Sequence, residues 1–289
     1  MASRQQIKSR IGSVRNTRQI TKAMQMVAAS KLRRAQDAVV KPRAYTQLAR
    51  EILTRLRQLA ADDSELKLFT ERPVKTRLLV VVTSDRTLAG AYNANVIRRA
   101  FAEAKIDREK GVKTSVVCIG RQIANASSRV SDLHVESVYL EMPDHPHADD
   151  LRPILTSVVG LFADQKVDAV DVIYTDFKST VSQEVVVRKL LPAGFDDVKL
   201  DDEIAHADVE PSAEVLIRAT AQRLLEAQIY QALLDAVASE HSMRMLAMKN
   251  ATDNASDLID DLTLVYNNAR QAAITQELAE ITGATEAIK

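Results

Sequence analysis

Uncharged and charged positions repeat with a helical period along the C-terminal part of the chain. Neither proline nor glycine occurs between residues 212 and 282. Steps of three and four residues from Ile217 to Gln276 meet only uncharged side chains, because no Asp, Glu, Lys or Arg falls on this track. The pattern predicts one helix with a heptad seam, roughly 100 Å long at 1.5 Å per residue. An ordinary long bundle helix is the alternative that this periodicity leaves open.

The N-terminal segment is the natural partner for this helix. Its apolar positions recur every three or four residues up to Val39, and after Pro42 the pattern resumes and reaches Leu59. We expect Pro42 to kink or break the helix. The seam of the C-terminal helix is poor in Leu and Ile and rich in Ala, Met and Gln, so it specifies its partner weakly. We therefore expect an antiparallel two-helix coiled coil that other chains support from outside.

The middle of the chain alternates short apolar runs with helical periods. This order predicts a small, mostly parallel sheet covered by helices, in the Rossmann-like α/β class. The predicted strands are 78–82, 115–119, 134–140, 170–174 and 183–188, the last antiparallel to its predecessor. The predicted helices are 96–110, 122–129 and 151–162, with Asp149 or Asp150 as the N-cap of the third, and 196–211 is predicted to be a loop.

The fold class is thus α/β, with a long antiparallel coiled coil from the two terminal segments and a Rossmann-like domain inserted between them. The predicted boundaries are 1–60 for the N-terminal helix, 75–195 for the α/β domain and 211–286 for the C-terminal helix.

Residues with catalytic or ligand-binding chemistry are few. The segment 83–90 follows the first strand, where a nucleotide loop would lie, but it has neither a three-glycine fingerprint nor a Gly-Lys-Thr phosphate loop. The loop 144–150 contains Asp and His close together, and a solvated turn is favoured there over a metal site. His241 and Cys118 are interpreted as packed core residues. We predict no catalytic residue, no cofactor and no metal.

The charge distribution offers an alternative function. The formal net charge is +0, yet residues 1–60 carry fourteen Lys and Arg against Asp37 and Glu51. A basic coiled coil of this kind would fit a nucleic-acid-binding or scaffold protein. No aromatic side chains interleave with the cations to stack on bases, which argues against nucleic acid. The single cysteine and the lack of a signal-peptide pattern predict a reducing, intracellular compartment.

Three stretches of sequence resemble the γ-subunit family of F-type ATP synthases. Residues 19–32 (QITKAMQMVAASKL) resemble its N-terminal signature, and most of 238–255 together with 269–278 (ARQAAITQEL) resembles its C-terminal signature. Residues 83–86, with Gly90 and Asn93, are similar to its central motif, although Thr87 and Ala89 depart from it. The similarity runs from Ser3 to about Ala284.

The resemblance implies a non-catalytic central rotor shaft that couples proton flow through the membrane c ring to catalysis in the β subunits. It implies one copy per complex, with an α3β3 hexamer, the ε subunit and the c ring as partners and no nucleic acid. The implied location is the cytoplasmic side of a bacterial plasma membrane. Glu210 is implied on the c-ring and ε side, although Val209 departs from the family pattern. The implied β-subunit contacts are Lys22, Met24, Lys31, Arg33, Arg34, Arg244, Arg270, Gln271 and Thr275.

Overall fold

The structure is a computed structural model that describes residues 4–59, 68–130, 133–144, 146–193, 204, 210 and 212–287. The chain divides into two compact units. The smaller unit combines Met1–Ala28 with Arg244–Lys289, and the larger unit is Ala29–Met243. Each unit contains a part of both terminal helices, and the larger unit also contains the sheet.

The two terminal helices are α1, Arg4–Leu59, and the C-terminal helix α5, Ala213–Ala287. Helical backbone continues through Pro42, so the helix is not broken there, and the kink, the other outcome we expected, stays a prediction. A proline inside a helix costs roughly 3 kcal/mol, because it removes one hydrogen bond and clashes with the preceding turn. Buried Leu32 and Val39 before it, and Leu53 and Leu56 after it, provide packing that offsets this cost.

The larger unit is built around one five-stranded sheet. Its strands are β1 Thr76–Val82, β2 Lys113–Ile119, β3 His134–Tyr139, β4 Ala169–Phe177 and β5 Gln183–Leu191. Their order across the sheet is β3-β2-β1-β4-β5, and only the pair β4 and β5 is antiparallel. This arrangement confirms the predicted parallel sheet with an antiparallel last strand.

Helices cover both faces of this sheet. Helices α2, Tyr92–Glu109, and α3, Arg121–Ser127, pack on one face around Val96, Val116 and Ile123. Helix α4, Ala148–Ala163, packs on the other face together with parts of α1 and α5. The strands β1 and β4 are therefore buried on both sides, which explains why they read as continuous apolar runs.

The terminal helices pair with each other in both units. In the larger unit, Thr46 Oγ1 donates to the Ala227 carbonyl (3.3 Å) and Arg43 contacts Asp235 (2.7 Å), so the two helices run antiparallel. In the smaller unit, Thr252 Oγ1 donates to Thr21 Oγ1 at 2.9 Å. The predicted architecture, two long terminal helices with an α/β domain inserted between them, is confirmed.

Helix α4 begins at Ala148, so neither Asp149 nor Asp150 is its N-cap; His147 takes that position, and its N–H donates to Asp150 Oδ2 at 2.7 Å. The predicted loop 196–211 lies outside the described residues except for residues 204 and 210.

In the part of the chain that the structure describes, no helix combines the length and apolar character needed to cross a bilayer.

Candidate functional site

Most of the predicted contact residues of the smaller unit are at its surface. Lys22, Arg270, Gln271 and Thr275 are exposed, and Met24 is half-buried. Thr275 Oγ1 donates to the carbonyl of Gln271 at 3.0 Å, as is common for threonine in a helix. The Thr275 hydroxyl is thus used within its own helix.

The remaining predicted contact residues differ in how much surface they offer. Arg33, Arg34 and Glu210 are exposed, whereas Arg244 keeps only 9% of its surface exposed. Lys31 is half-buried, and its ammonium group lies 2.6 Å from Asp144 Oδ2. Arg244 and Lys31 therefore have less surface available to a partner than the sequence suggests.

Exposed apolar side chains are dense in the smaller unit. Ten of the nineteen large apolar side chains exposed in the described residues belong to it, although it has about one third as many residues as the larger unit. The burial of α5 fades along this unit: Ile259 is the last buried residue among the described side chains. The exposed residues are Ile20, Met26, Val27, Leu246, Leu258, Leu264, Val265, Ile274, Leu278 and Ile281. Such a surface is typical of a region that other chains cover.

Asp144 joins the two terminal helices of the larger unit. Besides the Lys31 ammonium group on α1, its carboxylate contacts His241 Nε2 on α5 at 3.1 Å. These two contacts, that of His241 first, hold the pKa of Asp144 well below its usual value, although burial acts in the opposite direction. His241 is buried, as expected for a packed core histidine. The Asp144 carboxylate thus fixes both helices to the segment between β3 and α4.

A second group of polar side chains fixes α5 to the hairpin of β4 and β5. Ser239, fully buried, donates to the Thr175 carbonyl at 3.1 Å, and Ser242 donates to the Thr180 carbonyl at 2.8 Å. Gln183 Nε2 donates to Ser242 Oγ at 3.0 Å. The C-terminal signature of the sequence therefore includes residues that dock this helix on the sheet.

Arg43 on α1 strengthens the same junction. Its guanidinium group donates to Asp235 Oδ1 at 2.7 Å and to the Phe177 carbonyl at 2.8 Å. Asp235 is almost fully buried, and burial raises its pKa even though Gln231 and Arg43 act to lower it. The sequence predicted neither the contact between Arg43 and Asp235 nor the contacts of Asp144. Each of these contacts joins residues that are far apart in the sequence, and no periodic pattern links them.

The side chains of the loop after β1 and of the start of α2 bond to backbone groups of the α/β domain. Asp85 Oδ1 accepts a hydrogen bond from the Arg121 N–H at the start of α3 (3.0 Å), and Oδ2 accepts one from the Glu141 N–H (2.8 Å). The Asn93 side chain bonds the N–H of Ser84 at 3.0 Å. The Asp85 carboxylate is therefore used by two backbone N–H groups from the ends of the neighbouring strands. The central motif has a structural role here.

The described residues contain no group of three or more His, Cys, Asp or Glu side chains arranged to hold a metal ion. Asp144, from the loop with metal-ligand residue types, is bonded to Lys31 and His241, and His145 lies outside the described residues. Cys118 is buried, and burial raises the pKa of its thiol, which keeps it in the protonated, unreactive form.

The fold and the exposed side chains define a class of protein in which two long terminal helices carry an α/β domain and present an apolar and charged surface. Comparison with known proteins narrows this class. The family model described as ATP synthase matches residues 3–288. The ATP synthase gamma chain of Stenotrophomonas maltophilia (strain R551-3) is 40% identical over 292 residues, which cover 100% of both chains.

Solved structures of ATP synthases contain chains with a similar fold. A chain of the central stalk and c ring of the Tetrahymena thermophila mitochondrial ATP synthase aligns with a TM-score of 0.59 and 26% identity, over 80% of this chain and 99% of that chain. A chain of the Euglena gracilis mitochondrial ATP synthase aligns with a TM-score of 0.69 and 18% identity, over 99% of this chain and 94% of that chain. The present chain belongs to the ATP synthase gamma chain family.

Proposed function

We propose that this chain is the central rotor shaft of an F-type ATP synthase. It couples proton flow through the membrane c ring to ATP synthesis and hydrolysis at catalytic sites in the β subunits. The observation that carries this proposal is the family match along residues 3–288, supported by a gamma chain relative that aligns over its whole length. The chain itself is non-catalytic in this proposal, and one copy serves each complex.

The exposed surface of the smaller unit supports a role inside an α3β3 hexamer. Its apolar side chains, which include Ile274 and Leu278, have the chemistry of a surface that a surrounding protein covers. Two exposed cations, Arg270 in this unit and Arg33 near the start of the larger unit, would contact acidic groups of β, each contributing about 0 to 1 kcal/mol because solvent screens them. Contacts of this strength suit a shaft that passes several positions in turn.

The remaining partners and the location follow from the same proposal. The α/β domain would face the ε subunit and the c ring, and the exposed Glu210 is our candidate on that side. The complex would be peripheral to a bacterial plasma membrane, on its cytoplasmic side. The bacterial gamma chain of Stenotrophomonas maltophilia, 40% identical to this chain, supports this choice of membrane.

The nucleic-acid alternative is weakened by how the basic side chains of α1 are used. Arg43 contacts Asp235 at 2.7 Å and Lys31 contacts Asp144 at 2.6 Å, so part of the positive charge is neutralised within the chain. A nucleic-acid binder would present these cations to phosphates.

A rotation experiment tests the shaft proposal directly. Cys118 is the only cysteine and is buried, so Val181→Cys, at a position 87% exposed, creates a single attachment point for a bead. We expect co-expression with α and β subunits to give a complex with one copy of this chain, whose bead rotates when ATP is added. No complex, or a complex whose ATP hydrolysis leaves the bead still, would refute the proposal.

A pair of matched variants tests which surface enters the hexamer. Ile274→Asp places a charge at a side chain that is 47% exposed in the smaller unit, and Val74→Asp does the same at 42% in the larger unit. Burial of one Ile side chain is worth about 1.5–3 kcal/mol, so Ile274→Asp should weaken assembly with α and β about tenfold or more. Val74→Asp should leave assembly unchanged. Equal effects of the two variants would contradict our assignment of this surface.

A further inference from the structure

A second candidate site lies in the α/β domain, separate from the shaft surface. A crevice of about 380 Å³ opens between α2, the end of β4 and the start of β5. Its lining includes Asn95, Arg98 and Arg99 from α2, Thr175 from β4 and Gln183 from β5. Its volume falls within the range of about 300–1,000 Å³ that is typical of small-molecule sites.

The crevice lies next to the position where α/β proteins bind ligands, on the side of β4 and β5. The sheet order β3-β2-β1-β4-β5 places the change of direction between β1 and β4. Ligands of open α/β sheets bind outside the carboxyl ends of the strands at this switch point. The bonds of Asp85 and Asn93 hold the loop that follows β1 against the domain. The accessible space therefore lies beside β4, next to Thr175.

Thr175 supplies an independent indication of a ligand. The residue is 3% exposed, and within the described residues its Oγ1 atom has no hydrogen-bond partner. The backbone carbonyl of the same residue does have one, the hydroxyl of Ser239. A buried hydroxyl without a partner destabilises a folded protein, and a polar ligand in the crevice would remove that penalty.

The charge of the lining selects the class of ligand. Arg98 and Arg99 are exposed at the rim, and no Asp or Glu occurs among the lining residues. Arg99 also contacts Glu103 at 2.8 Å, while Glu103 bonds Arg77 at 3.0 Å, so part of the Arg99 charge is already used. Arg98 lies 3.5 Å from the Asn95 side-chain oxygen. Guanidinium groups beside a hydroxyl donor form a set suited to phosphate oxygens.

We propose that this crevice binds a phosphate group, with Arg98 and Arg99 neutralising its charge and Thr175 donating a hydrogen bond. The volume exceeds what one phosphate fills, so the crevice has room for a small phosphate monoester. The site is independent of the shaft function, and its failure would leave that proposal intact.

The experiment uses the full chain and two probes, inorganic phosphate and AMP. Methyl NMR of threonine-labelled protein reports whether the Thr175 methyl resonance shifts and saturates, and calorimetry gives the affinity. We expect both probes to shift this resonance, with AMP binding about tenfold tighter than phosphate if the natural ligand is a monoester. Equal affinities would identify free phosphate as the ligand. An unchanged Thr175 resonance with both probes at 10 mM, roughly the weakest affinity of interest, would overturn the proposal.

Three variants locate the binding. Arg98→Gln and Thr175→Val should each weaken binding about tenfold or more, because each removes a charge or a donor from the crevice. Arg108→Gln, an exposed arginine of the same helix outside the crevice lining, is the matched control and should change nothing. Thr175→Val should melt at the same temperature as the wild type or higher, whereas a structural role for the hydroxyl would lower it. Binding that survives both crevice variants would refute the assignment.

Discussion

Asp144 allows a quantitative test of how the larger unit holds its two helices. Its carboxylate contacts Lys31 at 2.6 Å and His241 at 3.1 Å. A hydrogen bond to a charged group contributes about 1.5–3 kcal/mol when it is shielded. The Asp144 side chain is 42% exposed and that of Lys31 is 31% exposed, so solvent weakens their pair, whereas His241 is 4% exposed. We expect Asp144→Ala to lower the free energy of unfolding by about 2 kcal/mol. Asp144→Asn keeps one acceptor oxygen and should lower it by about 1 kcal/mol.

The pH dependence of this difference has a definite sign. The pKa of Asp144 is lower in the folded chain than in the unfolded chain, because the bonds from His241 and Lys31 stabilise the carboxylate. The stabilisation is therefore complete above the unfolded pKa of about 3.9, and it is lost as the pH falls from there toward the folded pKa. The difference between wild type and Asp144→Ala should shrink as the pH falls below about 4.

Urea denaturation of the full chain, followed by circular dichroism at several pH values, measures this difference. Asp149→Asn is a matched control in the same segment, because the Asp149 side chain is 84% exposed and pairs with a largely exposed Arg152 at 3.0 Å. The control should cost about 0.5 kcal/mol or less. Equal losses of stability from both variants, or an Asp144→Ala difference that grows as the pH falls below about 4, would contradict this role of Asp144.

Three further substitutions have predictable effects on thermal or urea unfolding. Gly120→Ala should lower the free energy of unfolding by roughly 3 kcal/mol or more. Gly120 has φ +97, and an added Cβ would lie 2.2 Å from the Thr83 carbonyl oxygen. Unchanged stability would contradict this prediction. Gly160→Ala, inside α4 with open space around it, should instead stabilise the chain by about 0.5–1 kcal/mol. Ser239→Ala should cost about 1–2 kcal/mol through the lost bond to the Thr175 carbonyl, and a neutral result would show that this bond does not anchor α5.

The regular elements could be predicted because burial leaves a periodic trace in the sequence. The apolar run 78–82 marks β1, although the strand begins two residues earlier, at Thr76. The heptad seam marks α5, and seam positions such as Leu224, Ala238 and Met248 are buried. The local rule that proline ends a helix was less reliable, because packing competes with it. At Pro42 the helix stays continuous, with buried contacts on both sides.

Side-chain pairs between distant residues left no comparable trace. Lys31 and Asp144 are 113 residues apart, and Arg43 and Asp235 are 192 residues apart. A single sequence contains no periodicity that links such residues, so their contacts emerge only when the chain is folded. The crevice at Thr175 was missed for the same reason, because it combines residues of α2, β4 and β5.

The two units differ in the balance of polar and apolar contacts along the same pair of helices, although the smaller unit also has the bond from Thr252 to Thr21. In the larger unit, buried polar residues of α5 such as Asp235, Ser239 and His241 each have a specific partner, and hydrogen bonds of this kind fix one register. In the smaller unit, the buried residues of α5 include Ala255 and Ile259, with much exposed apolar surface beside them. Apolar contacts are non-directional, so they tolerate several arrangements of a surrounding partner. The rotor shaft proposed above would need both properties, a rigid attachment to its own domain and a surface that moves past partner subunits, and the larger and smaller units would each provide one of them.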